Sequence, residues 1–246
     1  MIVERITCRH PGGVAGWPFT LPVVAQLVAE GLEFTAPVTF LAGDNGSGKS
    51  TIIEAIADVC KINSAGGKAG TRYASTSPKT PLGQVMDAEF TAAGRRWAAG
   101  PRRKRKGFFL RAETLFNLAQ NVSGLPGFWD ADLTLQSHGE GFLTVLEAMF
   151  AEPGIYLMDE PEAALSFTSC LGLISLLDRL AAAGGQVICA THSPLLTALP
   201  GAQIVELGAH GIRPVAWTQL PFVDHWRRYL ANPSLYLRHI LDQEQP

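Results

Sequence analysis

Apolar and polar positions follow a pattern along the chain that predicts strands and helices in alternation. Short apolar runs predict strands over residues 2–8, Val38–Ala42, Val85–Phe90, Phe108–Arg111, Ile155–Met158 and Gln186–Ala190. Apolar residues at helical spacing predict helices within Pro18–Gly31 and over Lys49–Lys61, Gly139–Phe150 and Phe167–Ala183. Residues 62–82 predict a loop, and the tail adds two short strands and two helical pieces that break at Asn232-Pro233.

This alternation is typical of an α/β fold in which helices flank a mainly parallel sheet. Right-handed crossovers are expected to connect the parallel strands, and we expect an antiparallel portion near the N-terminus. The chain has 246 residues, a length that open sheets covered on both faces reach as single units. We therefore predict one α/β domain over residues 1–246.

A glycine-rich segment lies between the predicted strand Val38–Ala42 and the helix that follows it. Its residues are Gly43, Asp44, Asn45, Gly46, Ser47, Gly48, Lys49, Ser50 and Thr51, which fit the pattern G-x-x-x-x-G-K-[ST]. The glycines let backbone N–H groups turn toward a phosphate, and the helix N-terminus adds partial positive charge. Lys49 offers a full charge to the β- and γ-phosphates, and the Ser50 hydroxyl suits Mg²⁺. The segment predicts an ATP site with magnesium; a glycine-rich turn without a ligand is the alternative.

A second group of polar residues ends two of the buried strands. Asp159 follows Ile155–Met158 at the carboxyl end, where ligands of open α/β sheets collect, so we expect it to hold magnesium. Pro161 disfavours helical backbone at Glu160, so the chain turns there and Glu160 can orient or deprotonate a water. His192 follows the next strand and can donate a hydrogen bond to the γ-phosphate. An acidic surface turn and a structural histidine are the alternatives.

The order of these motifs resembles the ABC-type ATPases. That family shares a phosphate loop, a serine–glycine signature that opens a helix, a strand ending in Asp-Glu-Pro, and a strand ending in histidine. Asp-Asn-Gly-Ser at 44–47 and Thr-His-Ser-Pro at 191–194 are similar to the soluble predicted ATPases related to the SMC and RecF groups, often labelled AAA family ATPases. The resemblance implies a P-loop NTPase fold with ATP and Mg²⁺ as cofactors. It also makes Glu160 the catalytic carboxylate and His192 the switch histidine.

The same resemblance assigns a signature to residues 136–141 within a helical lobe at approximately 112–152. Ser137 and Gly139 stand on the matching positions, while His138 and Glu140 replace a glycine and a glutamine. In the family the signature of one subunit closes over the γ-phosphate held by another, so Ser137, Gly139 and Glu140 are expected to act in a head-to-tail homodimer. Residues 162–166 resemble the loop that carries dimer contacts. A plain helix cap is the alternative for 136–141.

Two positions of the family pattern stay open in this sequence. The glutamine that links the sheet to the helical lobe has Gln84 and Gln120 as candidates, and Glu113 as a substitute. The aromatic residue that stacks on adenine has three candidates, which are Trp17, Phe19 and Phe34.

Composition excludes some classes of protein without naming a partner. Apolar residues make up 47% of the chain and charged residues 17%, with a net charge of -2, as in globular proteins. The four cysteines have no paired spacing and predict a reducing, cytoplasmic location. The chain shows neither an export signal nor 18 consecutive apolar residues, so we predict no membrane insertion.

Positive charge is concentrated at residues 102–106, for which a solvated loop, nucleic acid and an acidic protein partner are the alternatives. The motifs favour an ATPase that works as a homodimer around ATP and drives a conformational change in a partner. A nucleotide-binding subunit of an ABC transporter and an ATP-gated nucleic-acid-binding module are the alternatives. Each version requires residues 43–51 to lie within about 10 Å of Asp159 and Glu160.

Overall fold

A computed structural model of the protein describes residues 1–9, 16–64, 66–68, 78–101, 105–111, 146–147, 150 and 152–241. The strands among these residues are β1 (Val3–Cys8), β2 (Leu32–Glu33), β3 (Val38–Ala42), β4 (Gly67–Lys68), β5 (Met86–Phe90), β6 (Gly107–Arg111), β7 (Ile155–Asp159), β8 (Gln186–Thr191), β9 (Gln203–Gly208) and β10 (Gly211–Pro214). The α-helices among them are α1 (Pro22–Glu30), α2 (Lys49–Cys60), α3 (Pro81–Val85), α4 (Ala92–Ala99), α5 (Phe167–Ala182), α6 (Pro221–Ala231) and α7 (Ser234–Leu241). Short 3₁₀ helices cover Pro161–Ala164, Leu196–Ala198 and Trp217–Gln219.

Two sheets organise the described residues. The larger sheet has the strand order β10-β9-β3-β8-β7-β6-β4, and its five central strands from β9 to β6 are parallel. Its edge strands β10 and β4 pair in the antiparallel sense with β9 and β6. The smaller sheet is antiparallel, with the order β2-β1-β5. The fold is therefore α/β, with an antiparallel portion that begins at the N-terminus.

The larger sheet is covered on both faces, which explains why its central strands are apolar throughout. On β3, Phe40 and Ala42 pack into the core beneath α5 and α6, whereas Leu41 packs into the core beneath α1, α2 and the smaller sheet. The parallel register pairs Ala42 with Thr191 and Asp159 with Ala190. The carboxyl ends of β3, β8 and β7 consequently meet at one edge of the sheet.

The predicted elements agree with the structure to within one residue at most of their described ends. The helix within Pro18–Gly31 begins at Pro22, and the tail breaks between α6 and α7 at Asn232-Pro233. Ser166 caps α5, because its Oγ accepts a hydrogen bond from the Ser169 N–H at 3.1 Å. The predicted helix Gly139–Phe150 and the lobe at 112–152 lie outside the described residues, apart from 146–147, 150 and 152.

Sequence patterns missed α3 and α4, and the loop predicted over 62–82 was wrong at both the strand β4 and the start of α3. Both helices are short, and each contains a glycine, which weakens helix propensity. A threonine cap stabilises the start of each helix, because Thr80 and Thr91 each accept a hydrogen bond from the glycine N–H three residues further along the chain, at 3.0 Å.

No helix in the described part of the chain combines the length and apolarity that a membrane span requires.

Candidate functional site

The glycine-rich loop between β3 and α2 is shaped by two close approaches. A Cβ atom on Gly43 would lie 2.3 Å from the Leu207 carbonyl oxygen, so the loop can pass β9 only with glycine there. Gly48 has φ +97°, and a Cβ at this position would lie 2.7 Å from the Val23 side chain. The helix α2 then begins directly at Lys49, which leaves its first N–H groups at the loop.

The amine of Lys49 lies inside this loop. Its side chain is only 3% exposed, and Nζ donates hydrogen bonds to the Gly43 and Asp44 carbonyl oxygens at 2.8 and 2.9 Å. The same nitrogen lies 3.6 Å from Oε1 of Glu160, at the end of β7. The loop and the acidic pair at 159–160 therefore meet, well within the distance that the sequence analysis required.

Ser50 and Asp159 form the second contact between α2 and β7. The Ser50 hydroxyl donates to Asp159 Oδ1 at 3.2 Å. Burial raises the pKa of the Asp159 carboxyl above its ordinary value, and the hydrogen bond from Ser50 and the charge of Arg111 oppose part of that rise. A hydroxyl and a carboxylate side by side are hard oxygen donors, so this pair fits Mg²⁺.

Glu160 has an unusual backbone for a residue with a side chain. Its φ of 48° and ψ of 52° are left-handed, and its N–H donates to the Ala190 carbonyl oxygen at 2.9 Å. Such a conformation costs roughly 1 kcal/mol and occurs where the surroundings impose it, often at functional sites. The turn predicted from Pro161 is confirmed, and it directs the carboxylate toward Lys49 and His192.

His192 lies beside Glu160, as the positions of the two strands predicted. Its Nδ1 is 3.4 Å from Glu160 Oε1 and 3.7 Å from Glu162 Oε1. Glu162 also accepts hydrogen bonds from the Thr191 hydroxyl at 2.5 Å and from the His192 N–H at 3.0 Å. The sequence analysis placed Glu162 only in the dimer-contact loop and missed these contacts.

Lys49, Ser50, Asp159 and Glu160 border a cleft of about 460 Å³, which we call the nucleotide cleft, whereas His192 and Glu162 are not part of its lining. Its lining comprises Trp17, Leu21, Asn45, Gly46, Gly48, Lys49, Ser50, Thr51, Arg111, Asp159 and Glu160. Gly43, Asp44 and Ser47 line a second cleft of about 420 Å³ on the β9 side of the loop. The predicted signature residues Ser137, Gly139 and Glu140 lie outside the described residues, as do 102–104 of the basic run.

Arg111 is a residue of the nucleotide cleft that the sequence analysis missed. Its Nη2 lies 2.8 Å from Glu54 Oε1 on α2, and Nη1 donates to the Ser64 carbonyl oxygen at 3.3 Å. The register of β6 and β7 pairs Arg111 with Asp159, which explains the effect of its charge on that carboxyl. Its place at the end of a predicted strand was the available signal, since that end lies beside Asp159.

The structure distinguishes among the candidates for the adenine-stacking residue and for the linking glutamine. Trp17 is 68% exposed and lines the nucleotide cleft, whereas Phe34 is buried in the core and Phe19 packs against it. Gln84 is exposed, does not line the cleft, and donates to the Lys79 carbonyl oxygen at 3.2 Å. The other two candidates for the linking position, Gln120 and Glu113, lie outside the described residues.

Comparisons with known proteins agree with this geometry. A family model described as "AAA domain" matches residues 28–86, and one described as "AAA domain, putative AbiEii toxin, Type IV TA system" matches residues 134–198. The first range contains the phosphate loop, and the second contains Asp159, Glu160 and His192. Both carry the AAA label that the loop and switch residues predicted.

Relatives among curated proteins share the arrangement over longer ranges. The chain is 29% identical over 206 residues to the Hemin import ATP-binding protein HmuV of Rhodopseudomonas palustris (strain HaA2), covering 76% of this chain and 75% of that protein. It is 26% identical over 189 residues to the Ribose import ATP-binding protein RbsA of Jannaschia sp. (strain CCS1), covering 70% of this chain and 36% of RbsA. A match to the ABC-type transporter vrcC of Aspergillus aculeatus is 25% identical over 173 residues and covers 64% of this chain and 12% of that protein.

The chain is thus similar to ATP-binding proteins of the ABC type over 64–76% of its length. It spans only 12% and 36% of the lengths of vrcC and RbsA. Two solved structures similar to this chain are cbiO1 from Clostridium perfringens, with TM-score 0.49, 13% identity and coverage of 98% of each chain, and the SMC head domain from Thermotoga maritima. The latter has TM-score 0.45 and 18% identity, and covers 76% of this chain and 93% of the SMC head chain.

Proposed function

We propose that the protein binds ATP with Mg²⁺ in the nucleotide cleft and hydrolyses it to ADP and phosphate. One observation supports this most strongly: a buried lysine amine, a hydroxyl–carboxylate pair and a second carboxylate meet in one cleft beside the N-terminus of α2. Catalysis of phosphoryl transfer consists mainly of positioning and electrostatic stabilisation, which such groups supply.

Binding begins with the phosphates. The N–H groups of residues 43–51 and the N-terminus of α2 cradle them, and the Lys49 amine exchanges its carbonyl contacts for phosphate oxygens. Ser50 and Asp159 would hold Mg²⁺, which would supply positive charge to offset that of the phosphate oxygens. Trp17 supplies an exposed aromatic face at the same cleft, where adenine can stack.

Cleavage uses the residues at the ends of β7 and β8. Glu160 orients the attacking water and takes its proton, because its carboxylate is partly exposed at the cleft beside Lys49. As the water oxygen bonds to the γ-phosphorus, the bond to the bridging oxygen breaks and ADP leaves with the electron pair. His192, next to Glu160, donates a hydrogen bond to the γ-phosphate and senses its loss.

The assembly that we propose is a head-to-tail homodimer in the cytoplasm, with two ATP molecules between the copies. The resemblance of residues 136–141 to the family signature supports it, since Ser137, Gly139 and Glu140 of one copy would reach the γ-phosphate held by the other. Closure of this dimer drives a conformational change in a protein or nucleic-acid partner.

A transporter subunit is the second candidate, because curated relatives carry transport names such as HmuV and RbsA. In that case the partner is a separate membrane protein. Affinity purification from the native host, in detergent, decides between the two candidates. Recovery of a membrane protein in equal amount supports the transporter subunit, and its absence from a preparation that hydrolyses ATP supports the partner-driving ATPase.

The dimer is tested with Glu160→Gln, which keeps the size of the side chain and removes its basicity. We expect this variant to elute as a dimer in size-exclusion chromatography with ATP and Mg²⁺, and as a monomer without them. Glu152→Gln is the matched control, because Glu152 is an exposed glutamate paired with Lys106 away from the cleft. Monomeric elution of Glu160→Gln with saturating ATP would argue against the sandwich.

A further inference from the structure

Glu162 is a nearly buried carboxylate beside the site that the proposed hydrolysis does not use. Its side chain is 11% exposed and lies in the 3₁₀ helix Pro161–Ala164 that follows Glu160. Oε1 accepts hydrogen bonds from the Thr191 hydroxyl at 2.5 Å and the His192 N–H at 3.0 Å. Oε2 is buried and has no hydrogen-bond partner among the described residues.

One donor is the last residue of β8 and the other is the residue that follows it, so a single oxygen atom holds the chain where that strand ends. A charged acceptor makes shorter and stronger hydrogen bonds than a neutral one, which agrees with the 2.5 Å contact. Thr191 is itself an acceptor, because the Ser193 N–H donates to its Oγ1 at 2.9 Å. The backbone on each side of His192 is thereby held through Glu162 and Thr191.

One nitrogen of the His192 imidazole faces two carboxylates. Its Nδ1 is 3.4 Å from Glu160 Oε1 and 3.7 Å from Glu162 Oε1. The His192 side chain is 46% exposed, so packing alone does not fix its orientation. A carboxylate that binds the histidine backbone and borders its ring restrains both, and hence the distance from the ring to Glu160.

We propose that Glu162 is the positioning residue for His192, holding the 191–192 backbone and directing the imidazole toward Glu160. The inference rests on the proposed function, in which His192 contacts the γ-phosphate. It goes beyond that function because Glu162 does not line the nucleotide cleft and acts through His192. Glu162 is also the first residue of the segment 162–166. If a second copy displaced that segment, the movement would be transmitted to His192 through Oε1 of Glu162.

Two substitutions at this position give opposite expectations. Glu162→Ala removes both acceptor contacts, and we expect kcat for ATP hydrolysis to fall about tenfold or more while KM for ATP stays within about threefold. Glu162→Gln keeps a carbonyl oxygen at the Oε1 position and is expected to stay within about threefold of wild-type kcat. Rates are normalised to nucleotide-binding sites titrated in the same sample, which removes any effect of a smaller folded fraction.

Amide hydrogen exchange tests the positioning without relying on hydrolysis. We expect the His192 amide to exchange about tenfold faster or more in Glu162→Ala than in wild type, and at the wild-type rate in Glu162→Gln. Glu152→Ala is the matched control, because it removes an exposed glutamate that pairs with Lys106. If Glu162→Ala does not fold, Glu162→Asp serves instead, since it keeps the charge but withdraws the carboxylate by one methylene from the Thr191 hydroxyl and the His192 N–H. Faster His192 exchange supports the proposal and an unchanged rate overturns it.

The outcomes separate this inference from the proposed function. If wild type hydrolyses ATP, Lys49→Ala does not, and Glu162→Ala keeps its kcat, only the inference is overturned. Equal losses in Glu162→Ala and Glu162→Gln, or unchanged exchange at His192, also overturn it. If wild type does not hydrolyse ATP, the proposed function fails, and the exchange measurements still decide whether Glu162 holds His192.

Discussion

Gln186 joins the two sheets through a side chain that is completely buried. Its Oε1 accepts hydrogen bonds from the Ile2 and Val3 N–H groups at 2.8 and 2.7 Å, and its Nε2 donates to the Val3 carbonyl oxygen at 2.9 Å. The residue begins β8, the strand whose far end carries Thr191 and precedes His192. Gln186→Leu keeps the volume of the side chain and removes all three bonds.

The cost of this substitution follows from the groups left behind. Each buried N–H without a partner costs about 1–3 kcal/mol, so the Ile2 and Val3 amides together cost roughly 2–6 kcal/mol. The Val3 carbonyl oxygen, whose second lone pair can accept elsewhere, adds less to the cost. Burial of the leucine side chain returns about 1 kcal/mol of that cost. We expect a loss of about 3 kcal/mol, a large part of the roughly 5–15 kcal/mol that stabilises a typical domain.

Gln203 offers a matched control in the same sheet. It also makes three hydrogen bonds, accepting from the Thr35 N–H and the Thr39 hydroxyl and donating to the Glu33 carbonyl oxygen; the bonds to Thr35 and Glu33 are exposed, and only Thr39 is a buried residue. Water can replace the two exposed partners, and the Thr39 hydroxyl can rotate toward another acceptor, so Gln203→Leu should cost no more than about 1.5 kcal/mol. Urea unfolding followed by tryptophan fluorescence measures both variants. A loss at Gln186 no larger than the loss at Gln203 would refute this reasoning.

Three further predictions concern the site and the cysteines. Burial raises the pKa of the Asp159 carboxyl, so its ionised form opposes folding. Asp159→Asn should therefore raise the Tm of the nucleotide-free protein at pH 7, by an amount that shrinks as the pH falls toward 3.8. The same substitution should lower ATPase activity about a hundredfold. Gly43→Ala should weaken ATP binding, measured by titration calorimetry, about tenfold more than Gly46→Ala. The reason is that a Cβ on Gly43 would lie 2.3 Å from a backbone carbonyl oxygen, whereas a Cβ on Gly46 would have no atom within 4 Å. Burial raises the pKa of the Cys8 thiol to about 11 and that of the Cys60 thiol to about 12. Iodoacetamide at pH 8 should therefore label both cysteines about a hundredfold more slowly than a peptide thiol, which mass spectrometry would measure.

Local patterns were sufficient for much of the fold. The phosphate loop carries its own conformational requirements in the glycines of 43–48, and the strands β7 and β8 are apolar runs that end in polar residues. Asp159 and Glu160 were predicted as site residues because each stands at the end of such a run. These features need no knowledge of distant contacts.

Other features depend on residues that are far apart in the chain. Arg111 pairs with Glu54 on α2, Glu162 accepts from Thr191 at the end of β8, and Gln186 binds the amides of Ile2 and Val3. Each contact depends on the strand order and register, which periodicity does not specify. A single glutamate or glutamine in the sequence therefore carried no signal of these roles.

In the proposed mechanism, ATP binds where residues 43–51 meet Asp159 and Glu160, and Glu160 then acts on water. Single-turnover cleavage of γ-labelled ATP, with bound nucleotide measured in the same sample, tests this most directly. We expect Lys49→Ala to lose both binding and cleavage, and Glu160→Gln to keep binding while cleavage slows about a hundredfold or more. Cleavage by Glu160→Gln at the wild-type rate, or unchanged ATP binding by Lys49→Ala, would contradict the account.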